Sequence, residues 1–177
     1  MKRYFKYIFI LVLYLLLVTG CDNKSNFKNP KVIEYKSDKG SIQLTYDNDG
    51  KYREETSGDY KILLNKDNNF RIDMYFMNNT TKKQQEESKK SFSKSSKYTI
   101  IDVNIGGYDG YALIDNKYTT AIVYLYLDKD VISYIKISPI KTMEAIKELE
   151  KGKKSEDVLY NQKKIQSILK TIKYTKK

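Results

Sequence analysis

The chain has 177 residues, with 33 Lys and Arg against 22 Asp and Glu, no His, no Trp and one Cys. Without His, and with a single Cys, the sequence excludes a Ser-His-Asp or Cys-His nucleophile, a zinc finger and an internal disulfide. The length fits one ordinary domain. The formal net charge of +11 favours an anionic neighbour, which can be a lipid, a polymer or a nucleic acid.

The first twenty residues have the pattern of a secretory signal. Lys2, Arg3 and Lys6 precede a run over residues 7–18 in which every residue is apolar or Tyr. This run is shorter than the roughly 20 residues of a transmembrane helix, and a short basic start before it is typical of a signal peptide. We therefore predict a signal peptide over residues 1–20 and exclude it from the fold.

The single cysteine follows directly, in the sequence Val18-Thr19-Gly20-Cys21. A branched aliphatic residue, two small residues and a Cys resemble the lipobox of bacterial lipoproteins. The resemblance implies that signal peptidase recognises Val18, Thr19 and Gly20, and that the lipidated Cys21 becomes the mature N-terminus. Two acyl chains hold a protein stably at a membrane. We therefore expect a lipid anchor at the extracytoplasmic face of the cell membrane; the alternative is an uncleaved anchor helix ending at a chance Cys.

Residues 21–31 are expected to comprise the lipidated Cys and a flexible tether, because the segment is polar and has no periodic apolar face. Residues 32–177 are expected to form a single domain. Apolar runs and alternating patterns predict strands at positions 41–46, 60–64, 70–77, 98–105, 111–115, 119–127 and 131–138, and residues 32–35 are a short candidate element at an edge. The turn residues Asp47-Asn48-Asp49-Gly50 predict a tight hairpin.

Three segments have helical patterns. Residues 80–97 are polar and lack Gly and Pro, which predicts a surface helix with a thin buried stripe. A second helix is predicted from about Pro139 to Lys151, and a third begins with Ser155 as its N-cap. The expected fold is therefore α+β, with an antiparallel sheet of about six to seven strands flanked by two or three helices.

The order of these elements resembles the PsbP-like α/β/α sandwich, a family named for an extrinsic subunit of the photosystem II oxygen-evolving complex. The resemblance covers about residues 41–174 and rests on the element order and two motifs, residues 105–110 (IGGYDG) and the closing segment 165–174 (IQSILKTIKY). It implies a sheet flanked by helices and a binding or scaffold role. It transfers no catalytic residue.

Candidate catalytic groups are few. Ser91 and Lys94 have Ser-x-x-Lys spacing, but the Ser-Asp-Asn and Lys-Thr-Gly elements of penicillin-interacting enzymes are absent from the sequence. A carboxylate-based wall enzyme requires two acidic side chains that the fold brings together, and no spacing indicates such a pair. We therefore expect a protein that is not an enzyme and has no metal or other cofactor.

The 17 tyrosines are the strongest enrichment in the composition. Aromatic side chains in strands can stack on sugar rings or bind protein, and they can also reflect simple strand propensity. The candidate binding surface consists of Tyr108, Tyr111, Tyr124 and Tyr126.

These features favour a noncatalytic lipoprotein of the cell envelope. It is expected to be a monomer that binds an envelope protein or an anionic polymer, and its export argues against nucleic acid as a partner. One alternative is a small-ligand carrier or transporter-accessory lipoprotein, which requires a deep pocket lined by Tyr at the sheet–helix junction. The other is the carboxylate-based wall enzyme.

Overall fold

The computed structural model describes residues 27–177. The predicted signal peptide, the lipobox residues Val18, Thr19, Gly20 and Cys21, and the start of the predicted tether lie outside this range. Between Phe27 and Lys177, no helix is long and apolar enough to cross a membrane.

The described part of the chain contains ten strands and four short helices. The strands are β1 (Pro30–Ser37), β2 (Gly40–Asp47), β3 (Tyr52–Ser57), β4 (Tyr60–Asn65), β5 (Phe70–Phe76), β6 (Tyr98–Ile105), β7 (Tyr108–Asp115), β8 (Ala121–Asp128), β9 (Val131–Pro139) and β10 (Lys173–Thr175). The helices are α1 (Lys82–Phe92), α2 (Thr142–Glu150), α3 (Ser155–Val158) and α4 (Lys163–Leu169).

The strands form two antiparallel sheets. A small sheet has the strand order β1-β2-β10, and a large sheet has the order β3-β4-β5-β9-β8-β7-β6. Most neighbours in the large sheet are consecutive hairpin partners, whereas β5 pairs with β9 and leaves α1 and β6–β8 between them in sequence. The large sheet is thus built from two meanders that meet at β5 and β9.

The main core lies between the two sheets. Ile42, Leu44 and Tyr46 alternate along β2 and are buried, because strand residues two apart share one face. They belong to the same buried cluster as Ile72 of β5 and Ile168 of α4. Helix α4 therefore closes the same core as the small sheet.

A second, smaller cluster lies on the opposite face of the large sheet, which we call the outer face. Its buried members are Tyr111, Leu113, Tyr124 and Ile132, and Phe92 of α1 packs against them. Helix α1 thus covers part of the outer face.

The predicted fold class is wrong. The α+β prediction placed helices on both sides of one sheet, as in the PsbP-like sandwich, whereas residues 27–177 form two packed sheets with short helices. The small sheet occupies the inner face of the large sheet, where a helical layer was expected. Its strand β2 buries alternate residues, and such a one-faced sheet packs well against another sheet.

The C-terminal segment shows why the helical layer is missing. The helical pattern that starts at Ser155 divides into α3 and α4, and the chain then becomes extended and pairs as β10 with β2.

The predicted hairpin at Asp47–Gly50 is also wrong, because β2 belongs to the small sheet and β3 to the large one. That turn therefore connects the two sheets.

Two glycines fix the hairpin between β6 and β7. Gly106 and Gly107 both have positive φ angles, of 62° and 85°, as a two-residue type I′ turn requires. A Cβ atom on Gly106 would also lie 2.5 Å from the Cγ2 atom of Ile172. The turn therefore packs directly against the residue that precedes β10.

Candidate binding surface

A row of five tyrosines crosses the outer face of the large sheet. The strand register places Tyr75 opposite Tyr134, Tyr134 opposite Tyr124, and Tyr124 opposite Tyr111. Directly paired residues of antiparallel strands point to the same face, so their rings meet. Tyr60 of β4 extends the row at its other end. We call Tyr60, Tyr75, Tyr134, Tyr124 and Tyr111 the tyrosine row.

The rings of the tyrosine row are in continuous contact. The ring centroids of Tyr60 and Tyr75 are 4.6 Å apart, and those of Tyr75 and Tyr134 are 4.4 Å apart. Tyr134 and Tyr124 are separated by 5.6 Å, and Tyr124 and Tyr111 by 4.9 Å. These distances lie at or near the favourable range of about 4.5–7 Å for aromatic pairs, and the Tyr60–Tyr75 and Tyr134–Tyr124 pairs have the preferred edge-to-face arrangement.

Exposure changes along the tyrosine row. Tyr111 is 0% exposed and Tyr124 is 7% exposed, Tyr75 and Tyr134 are half-buried, and Tyr60 is 40% exposed. We call Tyr111 and Tyr124 the covered part of the row, and Tyr60, Tyr75 and Tyr134 the open part. Only the open part can contact a large ligand without moving α1.

Helix α1 covers its part of the row with polar side chains. Gln85, which is buried, donates a hydrogen bond from Nε2 to the Tyr111 hydroxyl at 2.8 Å. The Tyr126 hydroxyl donates to the Glu86 carboxylate at 2.6 Å, and the Lys82 ammonium lies 4.8 Å from the centroid of the Tyr126 ring. Burial without pairing would be costly for these groups, so the hydrogen bonds hold α1 in one position.

A charged groove adjoins the open part. Asp73 of β5 and Lys136 of β9 lie opposite each other, and each is two positions along its strand from the row residue Tyr75 or Tyr134. Arg71 forms an ion pair with Asp73. The groove has a volume of about 380 Å³ and is lined by Leu64, Arg71, Asp73, Lys136, Ser138, Pro139 and Ile140. Two cations here face one carboxylate, so the groove has excess positive charge beside three aromatic rings.

The hydroxyl groups of Tyr75, Tyr124 and Tyr134 are hard to ionise. Burial raises the pKa of Tyr134 and of Tyr124 to about 12, and it raises the pKa of Tyr75 as well. A phenol that keeps its proton can both donate and accept a hydrogen bond. Tyr75 and Tyr134 therefore present neutral hydroxyls to a ligand even at mildly alkaline pH.

The structure separates the four tyrosines predicted as a binding surface. Tyr111, Tyr124 and Tyr126 share the outer face beneath α1, whereas Tyr108 packs against the main core and its hydroxyl accepts a hydrogen bond from the Tyr174 N–H at 3.2 Å. The structure therefore does not bring Tyr108 to the other three. Their role in binding stays a prediction.

The open part of the row was not selected from the sequence, although a signal was present. On β5, the side opposite the apolar residues carries Arg71, Asp73 and Tyr75. A Tyr on the polar side of a strand has no core to fill, which makes it a better surface candidate than a Tyr within an apolar run. The pairing of Tyr75 with Tyr134 could not be predicted from the sequence, because β5 and β9 are far apart in the chain.

The features required by the two alternatives are not found in the described residues. From Phe27 onward, Asp73 is the only buried acidic side chain, and no group of three His, Cys, Asp or Glu residues can hold a metal ion. Ser91 and Lys94 of the Ser-x-x-Lys match are both exposed. The junction of the large sheet with α1 is filled by the buried Tyr111 and Tyr124, and the cavity of about 410 Å³ between Pro139 and α2 has no tyrosine in its lining.

Known proteins offer no further guide to the site. No protein-family model, no curated protein and no solved structure matches the chain. The candidate surface is therefore defined by its own geometry, a partly open aromatic row beside a cationic groove.

Proposed function

We propose that the protein is a noncatalytic, lipid-anchored lipoprotein of the cell envelope that binds an anionic glycan through the open part of the tyrosine row. The observation that carries this proposal is the contact of Tyr60, Tyr75 and Tyr134 beside the groove of Arg71 and Lys136. The lipobox resemblance at Cys21 supports the location.

The chemistry of the open part suits a sugar polymer. Tyrosine rings offer apolar surface to the C–H face of a pyranose, and their hydroxyls offer hydrogen bonds to its edge. The row runs across the strands, so successive rings follow the spacing of about 4.8 Å between neighbouring strands. This arrangement provides several adjacent stacking positions along one line, as a linear polymer requires.

The adjoining groove supplies selectivity for negative charge. The Arg71 guanidinium has the planar fork that matches a carboxylate or phosphate, and Lys136 adds a second cation. Arg71 already pairs with Asp73, so an incoming anion meets one carboxylate and two cations. An anionic glycan is therefore favoured over a neutral one.

The test uses purified full-length protein in detergent and two soluble probes, polygalacturonate as the anionic glycan and dextran as the neutral one. We expect binding to polygalacturonate that weakens with salt, and little binding to dextran. Tyr134→Ala should weaken binding by about 2 kcal/mol, or roughly thirtyfold, as expected for an interface anchor.

The matched control is Tyr118→Ala, because Tyr118 is 39% exposed and lies in the turn between β7 and β8, away from the row. This variant should bind as tightly as the unaltered protein. Equal loss in the Tyr134 and Tyr118 variants, or equal binding of dextran and polygalacturonate, would contradict the proposal.

A further inference from the structure

The first described residues lie at one end of the two packed sheets. The register pairs Tyr52 with Asn65, Asn65 with Phe70, and Phe70 with Pro139, so these residues form one line across the large sheet. Lys164 of α4 lies 5.7 Å from the centroid of the Tyr52 ring. The loops near this line form one end, which we call the tether end.

The chain enters the domain at the tether end. The N–H of Asn29 donates to the Asp47 carboxylate at 2.9 Å, and the neighbouring Asp49 lies 3.8 Å from the Lys164 ammonium. Cys21 precedes Phe27 by six residues. Because six residues span at most about 22 Å when fully extended, a lipid on Cys21 keeps the tether end close to the membrane.

Two large apolar side chains are exposed at the tether end. Ile140 follows Pro139 directly and is 39% exposed, and Met143, in the first turn of α2, is 67% exposed. Met143 is more exposed than any other large hydrophobic residue of the described chain. Most of the Met143 side chain is in water and so adds little to the packed core of the domain. An apolar side chain in this position suits the boundary between lipid headgroups and acyl chains.

The same end is rich in lysine. Fourteen lysines and nine acidic residues lie in its loops and helices, which comprise residues 28–31, 47–51, 66–67, 94–97, 115–120 and 141–164. Lys163 and Lys164 occupy the first turn of α4, where the helix dipole disfavours cations. Lys164 pairs with Asp49 within the fold, whereas Lys163 is exposed and gains nothing from the helix dipole, so it is available to an external anionic surface.

We propose that the tether end lies on anionic lipid headgroups, with Ile140 and Met143 at the boundary of the acyl chains. This inference rests on the lipid anchor at Cys21 of the proposed function. Its consequence concerns the tyrosine row. Tyr134 precedes Pro139 by five residues of β9, which corresponds to about 17 Å along the strand. The rings of the open part are thus held away from the membrane, where a wall glycan can reach them, whereas the groove, which Pro139 and Ile140 line, opens near the headgroups.

The test compares two exposed positions at opposite ends of β9. Lys129 precedes β9 and lies away from the membrane in this orientation, whereas Met143 follows it. Cys21 is the only cysteine, so once it is acylated the thiol of a Lys129→Cys or Met143→Cys variant is unique. Each full-length lipidated variant is labelled with the same fluorophore and reconstituted into phosphatidylglycerol vesicles that contain a headgroup spin label.

We expect the spin label to quench the fluorophore at position 143 several-fold more strongly than at position 129. In the background of Lys28→Gln with Lys163→Gln, the quenching at position 143 should fall several-fold, because the headgroup attraction is reduced. The matched control is Lys83→Gln with Lys129→Gln, two exposed lysines away from the tether end, which should leave the quenching at position 143 unchanged.

The outcomes separate the two proposals. Equal quenching at positions 129 and 143, with the protein retained on vesicles, overturns the orientation and leaves the anchor intact. Failure of the protein to remain with vesicles overturns the anchor and this inference together. Glycan binding is measured on its own, so its loss in solution would contradict the proposed ligand and not the orientation.

Discussion

The covered and open parts of the tyrosine row contain the same residue type at similar ring spacings, yet their surroundings differ. Tyr111 is completely buried beneath α1 and Tyr60 is 40% exposed. The sheet supplies an unbroken line of rings, and α1 divides that line into core and surface. The role of each tyrosine is therefore set by whether α1 covers it, more than by its own strand.

Helix α1 makes this division with polar contacts. Its buried residue is Gln85, which binds Tyr111, and its Glu86 accepts a hydrogen bond from Tyr126. The thin apolar stripe in its sequence is thus compensated by hydrogen bonds to tyrosine hydroxyls. The covered part should be important for stability, and the open part should be important for binding.

The largest difference should appear on truncation of the rings. Tyr111→Ala should lower the free energy of unfolding by about 3–5 kcal/mol, because it leaves a cavity in a packed cluster. Tyr60→Ala should change it by less than about 1 kcal/mol, as is usual for surface substitutions. Urea unfolding of both variants measures the difference, and similar values would remove the distinction between the two parts.

Alkaline pH should give the next largest effect. The folded pKa of Tyr124 and of Tyr134 is raised to about 12 from the ordinary value of 10.0. Stability is therefore complete below pH 10 and declines as the pH rises through 12, because the unfolded chain releases these protons first. Urea unfolding at a series of pH values should show this decline, and Tyr124→Phe or Tyr134→Phe should reduce it. A decline unaffected by both variants would contradict the assignment.

Loss of the polar contact under α1 should have an intermediate effect. Gln85→Leu leaves the buried Tyr111 hydroxyl without its donor, and we expect a loss of about 1–3 kcal/mol in the free energy of unfolding. Glu87→Ala, at an exposed position on the same helix, serves as the control. If the two variants have equal stability, the hydrogen bond does not hold α1 in place.

Removal of the helix cap should have the smallest effect. The Thr81 hydroxyl accepts a hydrogen bond from the Gln84 N–H, and the Gln84 side-chain oxygen accepts one from the Thr81 N–H, as in a capping box. Thr81→Ala should cost about 1 kcal/mol. Hydrogen exchange should show faster opening of α1, while polygalacturonate binding stays unchanged. Weaker binding in this variant would show that the two parts of the row are coupled.

Much of the strand pattern was predictable from the sequence, and the layers were not. The alternation of Ile42, Leu44 and Tyr46 predicts the strand that the structure shows as β2. Strand β3 was missed, because its residues Arg53, Glu54 and Glu55 are charged and give no apolar alternation. The three residues of β10 continue a helical pattern, and only pairing with the distant β2 makes them a strand.

The candidate surface was predictable only in part. The tyrosine enrichment and the strand positions of Tyr111 and Tyr124 are readable, but the neighbours of each ring depend on the pairing of β5 with β9. Tyr75 and Tyr134 are 59 positions apart in sequence, and the register pairs them directly. Local patterns carry no information about such a pairing, since its register is set by the whole sheet.

The pairing of β10 with β2 has a consequence for the time at which the domain can fold. Thr175 pairs with Ser41, so the small sheet is complete only when a segment 134 positions later in the chain has joined β2. Contacts so distant in sequence form late, because a long loop must close first. For the exported chain that we propose, this delay is useful, since the small sheet stays incomplete until β10 has crossed the membrane.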